Sequence, residues 1–119
     1  MALKQDELIK IVEDILALDE QMRFAAIIDL KGNIVEGIMK AGKTSLESQK
    51  QEELFCKQVS DRRKMRQGFD DELGKVKFSL SFREKLIVMS FPLKNDVLLV
   101  TMDKRMSFDK IPFKILKLL

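Results

Sequence analysis

The chain has 119 residues, of which 45% are hydrophobic and 34% are charged, and its 22 basic and 19 acidic residues give a net charge of +3. This length predicts a single domain, 1–119, with one hydrophobic core. The absence of histidine removes the usual general base and metal ligand, and the single cysteine excludes an internal disulfide or a cysteine metal cluster. We therefore expect no enzyme activity, no cofactor and no bound metal.

No targeting or membrane segment is predicted. Asp6 and Glu7 precede any apolar run, unlike the start of a secretory signal, and no apolar stretch approaches the roughly 18 residues of a membrane helix. With a lone thiol, these features favour a cytoplasmic protein without a membrane partner. Residues 1–60 hold 8 basic and 11 acidic groups, whereas residues 61–119 hold 14 and 8, an asymmetry that would attract anionic surfaces only weakly.

The apolar spacing predicts a helix, a hairpin, a long helix, a three-strand meander and a final helix. Lys31-Gly32-Asn33 supplies the hairpin turn, and Thr44 and Glu47 match a capping box for the long helix. A short turn over residues 69–73 follows that helix. The predicted elements lie, in chain order, at residues 8–18 (helix), 22–30 and 34–39 (hairpin), 44–67 (helix), 75–83, 86–91 and 97–102 (meander), and 108–119 (helix).

The strand patterns also predict the order of the sheet. The first, fourth and fifth strands are apolar on both faces, which is typical of central strands covered on both sides. The third is apolar on one face, and the second contains Glu36 and Gly37, so both suit edges. The expected fold is α/β (α+β), with one antiparallel five-stranded sheet in the order 2-1-5-4-3. The terminal helices would cover one face and the long central helix the other.

Three segments resemble a known family. Ile27-Ile28-Asp29-Leu30-Lys31-Gly32-Asn33-Ile34 is similar to the hairpin of the roadblock (dynein light chain) family, within the wider profilin-like group. Leu73-Gly74-Lys75-Val76-Lys77-Phe78 and Phe91-Pro92-Leu93 also resemble small archaeal members of that group. With the order of elements, the resemblance covers nearly the whole chain.

The resemblance implies a non-catalytic interaction module that forms a homodimer through its central helix and an edge strand. It also implies a scaffold, or a regulator of small Ras-like GTPases. Lys75, Lys77 and Arg83 on the third strand argue the other way, because such charges often block edge pairing. The candidate interface residues are Leu54, Phe55, Val59, Arg62, Met65, Arg66, Val76, Phe78 and Leu80.

One motif predicts a different function. Gly37-Ile38-Met39-Lys40-Ala41-Gly42-Lys43-Thr44 matches the Walker A expression, in which Lys43 would reach phosphates and Thr44 would bind Mg²⁺. We reject a P-loop because the preceding strand is the return arm of a hairpin. No alternating strand–helix run follows to build a parallel sheet. A nucleotide binder stays as an alternative, as does a sensory domain of the PAS-like type with a ligand between sheet and helix.

Four smaller features have structural interpretations. Arg62-Arg63-Lys64-Met65-Arg66 is interpreted as a solvated helix end, although a phosphate, an acidic partner or nucleic acid would also suit it. No tyrosine or tryptophan is present for base stacking, so nucleic acid is not the expected partner. Asp70-Asp71-Glu72 indicates a short helix start rather than a cation site. Asp29 is interpreted as a turn residue rather than a catalytic partner of Glu36, and Cys56 as an inert thiol.

Overall fold

The computed structural model of the chain describes residues 5–119. Residues 1–4, part of the N-terminal segment in which no secretory signal is predicted, lie outside the described residues. The described elements are α1 (Gln5–Leu16), β1 (Met22–Asp29), β2 (Ile34–Met39), α2 (Gln49–Gln67), α3 (Asp70–Leu73), β3 (Ser79–Phe82), β4 (Ile87–Pro92), β5 (Asp96–Met102) and α4 (Ile111–Leu116).

The five strands form one antiparallel sheet in the order β2-β1-β5-β4-β3, so the predicted order is confirmed. The central strand β5 pairs with β1 through Ile27 and Leu98 and with β4 through Met89 and Val100, among other residues. The edges are β2 and β3, as the strand patterns predicted. The strands that are apolar on both faces take the inner positions of the sheet, because helices cover both faces there.

The two faces of the sheet carry separate hydrophobic clusters. Alternate residues of β5, such as Leu98 and Val100, pack with α1 and α4 in the larger cluster. Their neighbours Val97 and Leu99 face the other way and pack against Cys56 and Val59 of α2. This is the arrangement predicted from the sequence, with the terminal helices on one face and the central helix on the other.

Helix α2 begins later than predicted. It starts at Gln49 rather than Thr44, and its N-cap is Ser48. The Ser48 hydroxyl accepts a hydrogen bond from the Gln51 backbone N–H, and the Gln51 side chain accepts one from the Ser48 N–H, both at 3.2 Å. This reciprocal capping box satisfies the free backbone donors of the first turn. The pair Thr44 and Glu47 matched the same pattern but does not form the cap.

Strand β3 is shorter than the predicted 75–83. Its ladder with β4 begins at Ser79, which pairs with Ser90. Continuing the ladder would place Lys77 opposite Pro92, which has no backbone N–H to donate. Val76 and Phe78 therefore precede the strand rather than belong to it.

The final helix is also shorter than the predicted 108–119. It covers Ile111–Leu116, with Pro112 in its first turn. Residues 107–110 form a turn instead, in which the Lys110 N–H donates to the Ser107 carbonyl at 3.1 Å. Proline is accommodated at the start of a helix because the first N–H groups have no intrahelical partner.

Replacing Gly32 with alanine should destabilise the fold more than the same change at Gly42. Both glycines have positive φ angles, +91° and +82°, so either alanine is strained by about 1–2 kcal/mol. Only at Gly32 would the new Cβ collide with backbone, 2.6 Å from the Lys57 Cα, whereas nothing lies within 4 Å at Gly42. In urea denaturation we expect a loss of about 1 kcal/mol for Gly42→Ala and about 2–4 kcal/mol for Gly32→Ala. Equal losses would contradict this close approach of hairpin to helix.

Candidate protein-interaction surface

Helix α2 has a narrow inner side and a wide polar outer side. Its buried residues are Cys56, Val59, Ser60 and Arg63, which recur at the three- and four-residue spacing of one helical face. Two of these four side chains are polar, so apolar burial alone supplies little of the attachment of α2 to the sheet.

Polar contacts supply the rest of that attachment. The Ser60 hydroxyl donates to the Asp29 carbonyl at 2.8 Å, at the end of β1. Arg63 is only 9% exposed, and its guanidinium donates to the carbonyls of Asp96 and Leu93, the latter at 2.5 Å. These contacts fix α2 to both hairpins of the sheet, β1–β2 and β4–β5.

The buried arginine also changes the local electrostatics. Burial lowers the pKa of Arg63, and the Asp96 carboxylate opposes that effect. Burial and repulsion by Asp29 raise the pKa of Asp96, while Arg63 acts to lower it. The interpretation of Arg63 as a solvated helix-end cation is therefore wrong, because its charge lies against backbone carbonyls.

The outer side of α2 exposes two large apolar residues. Leu54 is 56% exposed and Met65 is 71% exposed. They are eleven residues apart, which is close to three helical turns, so they lie on the same side of the helix about 16 Å apart. Arg62 is exposed near Met65, whereas Phe55 and Arg66 are half-buried and Val59 belongs to the core.

Strand β3 contributes a free backbone edge. Within the described sheet it pairs only with β4. Phe78 and Leu80 are half-buried against the cluster that contains α1 and α4, where the Phe78 ring lies 5.8 Å from Phe91. Val76 lines a cleft near the end of α2. The structure thus places the predicted interface residues in several settings, and their role in an interface stays a prediction.

We define the α2/β3 surface as Leu54, Arg62 and Met65 on the outer side of α2, together with the free edge of β3. Helix α2 covers one face of the sheet and lies next to the edge strand β3, where Arg62 and Ser81 line one narrow crevice. A helix face and a strand edge side by side are the kind of surface on which a second protein packs.

Directly beneath α2 the crevices are too small for a sensory ligand, whereas larger clefts of about 610 and 670 Å³ lie beside the β3–β4 turn and beside the end of the helix. Two crevices beneath the helix measure about 40 and 20 Å³, one lined in part by Phe55 and Leu99 and the other by Val59 and Val88. Crevices of this size hold at most a few water molecules. A PAS-like sensory function would need a chamber at this position.

The Walker A match does not have the geometry of a P-loop. Gly37 lies within the edge strand β2, and Gly42 and Lys43 lie in a turn where the Lys43 N–H donates to the Lys40 carbonyl. No helix begins at Thr44, since α2 starts at Gln49. A phosphate cradle depends on a helix N-terminus directly after the glycine-rich loop.

The remaining candidate residues have structural contacts. The Asp29 carboxylate accepts from the backbone N–H groups of Lys31 and Asn33, both at 2.9 Å, which is the contact expected of a turn residue. Although desolvation acts to raise the pKa of Asp29, these hydrogen bonds lower it overall. The Gln5 amide donates to the Glu36 carboxylate. Burial raises the pKa of the Cys56 thiol to about 11, which disfavours the reactive thiolate.

Residues 70–73 form the short helix α3, as the acidic run predicted. Over residues 5–119, no cluster of three or more cysteine, aspartate or glutamate residues is arranged to bind a metal ion. None of the helices in that stretch combines the length and apolar character needed to cross a bilayer.

The fold is that of a roadblock/LC7 domain. The chain superposes on the gliding protein MglB of Thermus thermophilus with a TM-score of 0.77 and 12% sequence identity, over 100% of this chain and 91% of that chain. The corresponding values for MglB of Myxococcus xanthus are 0.74 and 12%, over 98% and 91%. For a roadblock/LC7 domain of Streptomyces avermitilis they are 0.70 and 7%, over 92% and 88%.

By sequence, the chain belongs to DUF6659, a family of unknown function, whose model matches residues 4–119. No curated protein shows significant sequence similarity to it. The predicted fold class and the resemblance to roadblock domains are therefore confirmed. The resemblance to archaeal members stays a prediction.

Arg63 and Ser60 are the structural residues that the sequence interpretation missed. Both continue the buried spacing of Cys56 and Val59, and that periodicity is the signal that could have placed them inside. A polar residue on the inner stripe of a helix is expected to have a hydrogen-bond partner.

Replacing Arg63 with alanine should destabilise the protein strongly, whereas Arg62→Ala should have little effect. The first change removes the side-chain donor of the Leu93 carbonyl and one of the two donors of the Asp96 carbonyl, which also accepts from the Leu93 N–H, and we expect a loss of about 2–4 kcal/mol in the free energy of unfolding. The matched change at exposed Arg62 should stay within about 0.5 kcal/mol. Guanidinium denaturation measures both free energies of unfolding. Similar losses in the two variants would show that the hydrogen bonds of Arg63 do not stabilise the fold.

Proposed function

We propose that this protein is a non-catalytic, cytoplasmic protein-interaction module that self-associates through the α2/β3 surface. The observation that carries the proposal is the exposure of Leu54 and Met65 on the outer side of a helix whose inner side is already attached to the sheet. Apolar side chains of this size favour a partner that removes them from water.

The charges along α2 favour an antiparallel arrangement of two copies. Glu52 and Glu53 lie near the start of the helix, and Arg62, Lys64 and Arg66 lie near its end. A two-fold axis across α2 would bring Leu54 of one copy near Met65 of the other, with the acidic start of each helix alongside the basic end of its partner. Such an interface uses the same patch on both subunits, as closed dimers do.

The free edge of β3 supports the same arrangement. Lys75, Lys77 and Arg83, the charged residues expected to block edge pairing, all lie outside the strand, and the residues of β3 itself are Ser79-Leu80-Ser81-Phe82. An uncharged edge is open to pairing with a strand from another chain. The β3 side chains that face α2 are Ser79 and Ser81. Because these side chains are small and polar, a second helix has room to approach.

A dimer of this kind would act as a scaffold or as a regulator of a small Ras-like GTPase. The support for this finer assignment is the resemblance to roadblock domains and the likeness of the fold to MglB. One such neighbour, MglB with a tetrameric arrangement, covers 99% of this chain at a TM-score of 0.72. That assembly belongs to MglB and supports self-association here by analogy of fold.

Introducing charge on the outer side of α2 should separate the two copies. We expect Leu54→Glu combined with Met65→Glu to raise the dissociation constant at least roughly tenfold, because the carboxylates would be desolvated in the interface. Sedimentation equilibrium over a concentration series measures this directly. Since both residues are exposed, the unfolding free energy of the variant should change by less than about 1 kcal/mol.

Val35→Glu is the matched control for this experiment. Val35 is 40% exposed and lies on β2, the opposite edge of the sheet from β3. This variant should dimerise like the unmodified protein. A chain that is monomeric without any substitution, or a dimer that survives both glutamates, would refute self-association through α2.

A further inference from the structure

A second surface lies beside the end of α2. It is a cleft of about 670 Å³ between the C-terminal turn of α2, residues 75–77 and the turn between β4 and β5. None of the residues that line it belongs to the α2/β3 surface.

The rim of the cleft is basic. Arg66, Lys75, Lys77 and Lys94 line it, against one side-chain carboxylate, that of Asp70, and Leu119 also lies at its wall. The three lysines are exposed, and Arg66 is half-buried. Arg63 also lines the cleft, but its terminal nitrogens are engaged by the carbonyls of the β4–β5 turn. An excess of positive charge along one groove favours a negatively charged occupant.

The backbone beside the rim is unpaired. Among the described residues, no backbone–backbone hydrogen bond involves Lys75, Val76 or Lys77. This segment leaves the ladder because Pro92 of β4 lacks an N–H. Three consecutive residues thus present backbone donors and acceptors next to lysine side chains, which is the situation in which an extended peptide adds to a sheet edge.

The floor of the cleft is apolar. Val76, Pro92, Leu93, Val97 and Leu116 contribute to it. A small inorganic anion would gain nothing from that floor. Single-stranded nucleic acid would lack a stacking platform, since none of the described residues lining the cleft is aromatic.

The geometry points to an acidic segment of a partner protein as the occupant, bound in extended form with its carboxylates on the lysine rim and alternate apolar side chains on the floor. The backbone of residues 75–77 provides the hydrogen bonds of a short added strand. This site supplies the interaction module with a recognition surface distinct from the α2/β3 surface, and it does not depend on the dimer.

Fluorescence anisotropy with a labelled peptide of about twelve residues that alternates glutamate and valine tests this site. We expect salt-dependent binding to the full chain, weakened at least roughly tenfold by Lys75→Glu combined with Lys77→Glu. Lys31→Glu combined with Lys50→Glu changes the net charge equally at exposed positions beside the start of α2. That control should bind the peptide within about twofold of the unmodified chain.

Three comparisons complete the test. A peptide N-methylated at alternate residues should bind much more weakly, since it cannot form the added strand. An oligothymidylate of the same charge, and inorganic phosphate, should compete poorly. The Leu54→Glu, Met65→Glu variant should bind the peptide normally, which separates this site from self-association. No peptide binding, equal losses in the two lysine variants, or equal affinity for the methylated peptide or the oligothymidylate would overturn the proposal.

Discussion

The attachment of α2 to the sheet depends on the hydrogen bonds that the buried Arg63 donates to the carbonyls of the β4–β5 turn. Helix α2 is 19 residues long but buries only two apolar side chains fully, Cys56 and Val59. Packing of that size does not position a long helix, and helices in proteins are stabilised chiefly by an apolar face. Arg63 and Ser60 replace part of that face with contacts that are specific in direction as well as favourable in energy.

This mode of attachment explains why the outer side of α2 is available. The inner contacts are few and lie along one narrow stripe, which leaves most of the helix surface in solvent. Gly32 allows the β1–β2 turn to approach the Lys57 backbone closely, so the middle of the helix is positioned by contact with the hairpin. The exposed Leu54 and Met65 are thus presented on a helix whose position is fixed by other residues.

The sheet could be predicted from the sequence because its signal is simple. Strands such as β5 are apolar on both faces, and only a central position covers both. The residues at which helices and strands begin and end could not be predicted in the same way. Thr44 and Ser48 both begin capping-box patterns, and only tertiary structure decides which of them caps α2. The loss of the first half of the third strand depends on a proline in the neighbouring strand, which no pattern within residues 75–83 records.

The candidate site was predicted less completely than the fold. Leu54 and Met65 were two of the nine candidate interface residues, and the structure exposes both of them on the outer side of α2. Phe78 and Leu80 matched a half-buried strand, but their apolar side packs against the protein's own core rather than facing outwards. Arg63 was grouped with its basic neighbours because a run of charges is usually solvated, and its burial depends on carbonyls about thirty residues away.

The central claim is that two copies meet through antiparallel α2 helices, and a disulfide cross-linking experiment tests it most directly. Cys56 is buried and its pKa is about 11, so it can stay in place. A mixture of Leu54→Cys and Met65→Cys chains, oxidised mildly, should yield a covalent dimer, while each variant alone should yield far less. Efficient cross-linking of either variant with itself, or none in the mixture, would contradict the antiparallel arrangement.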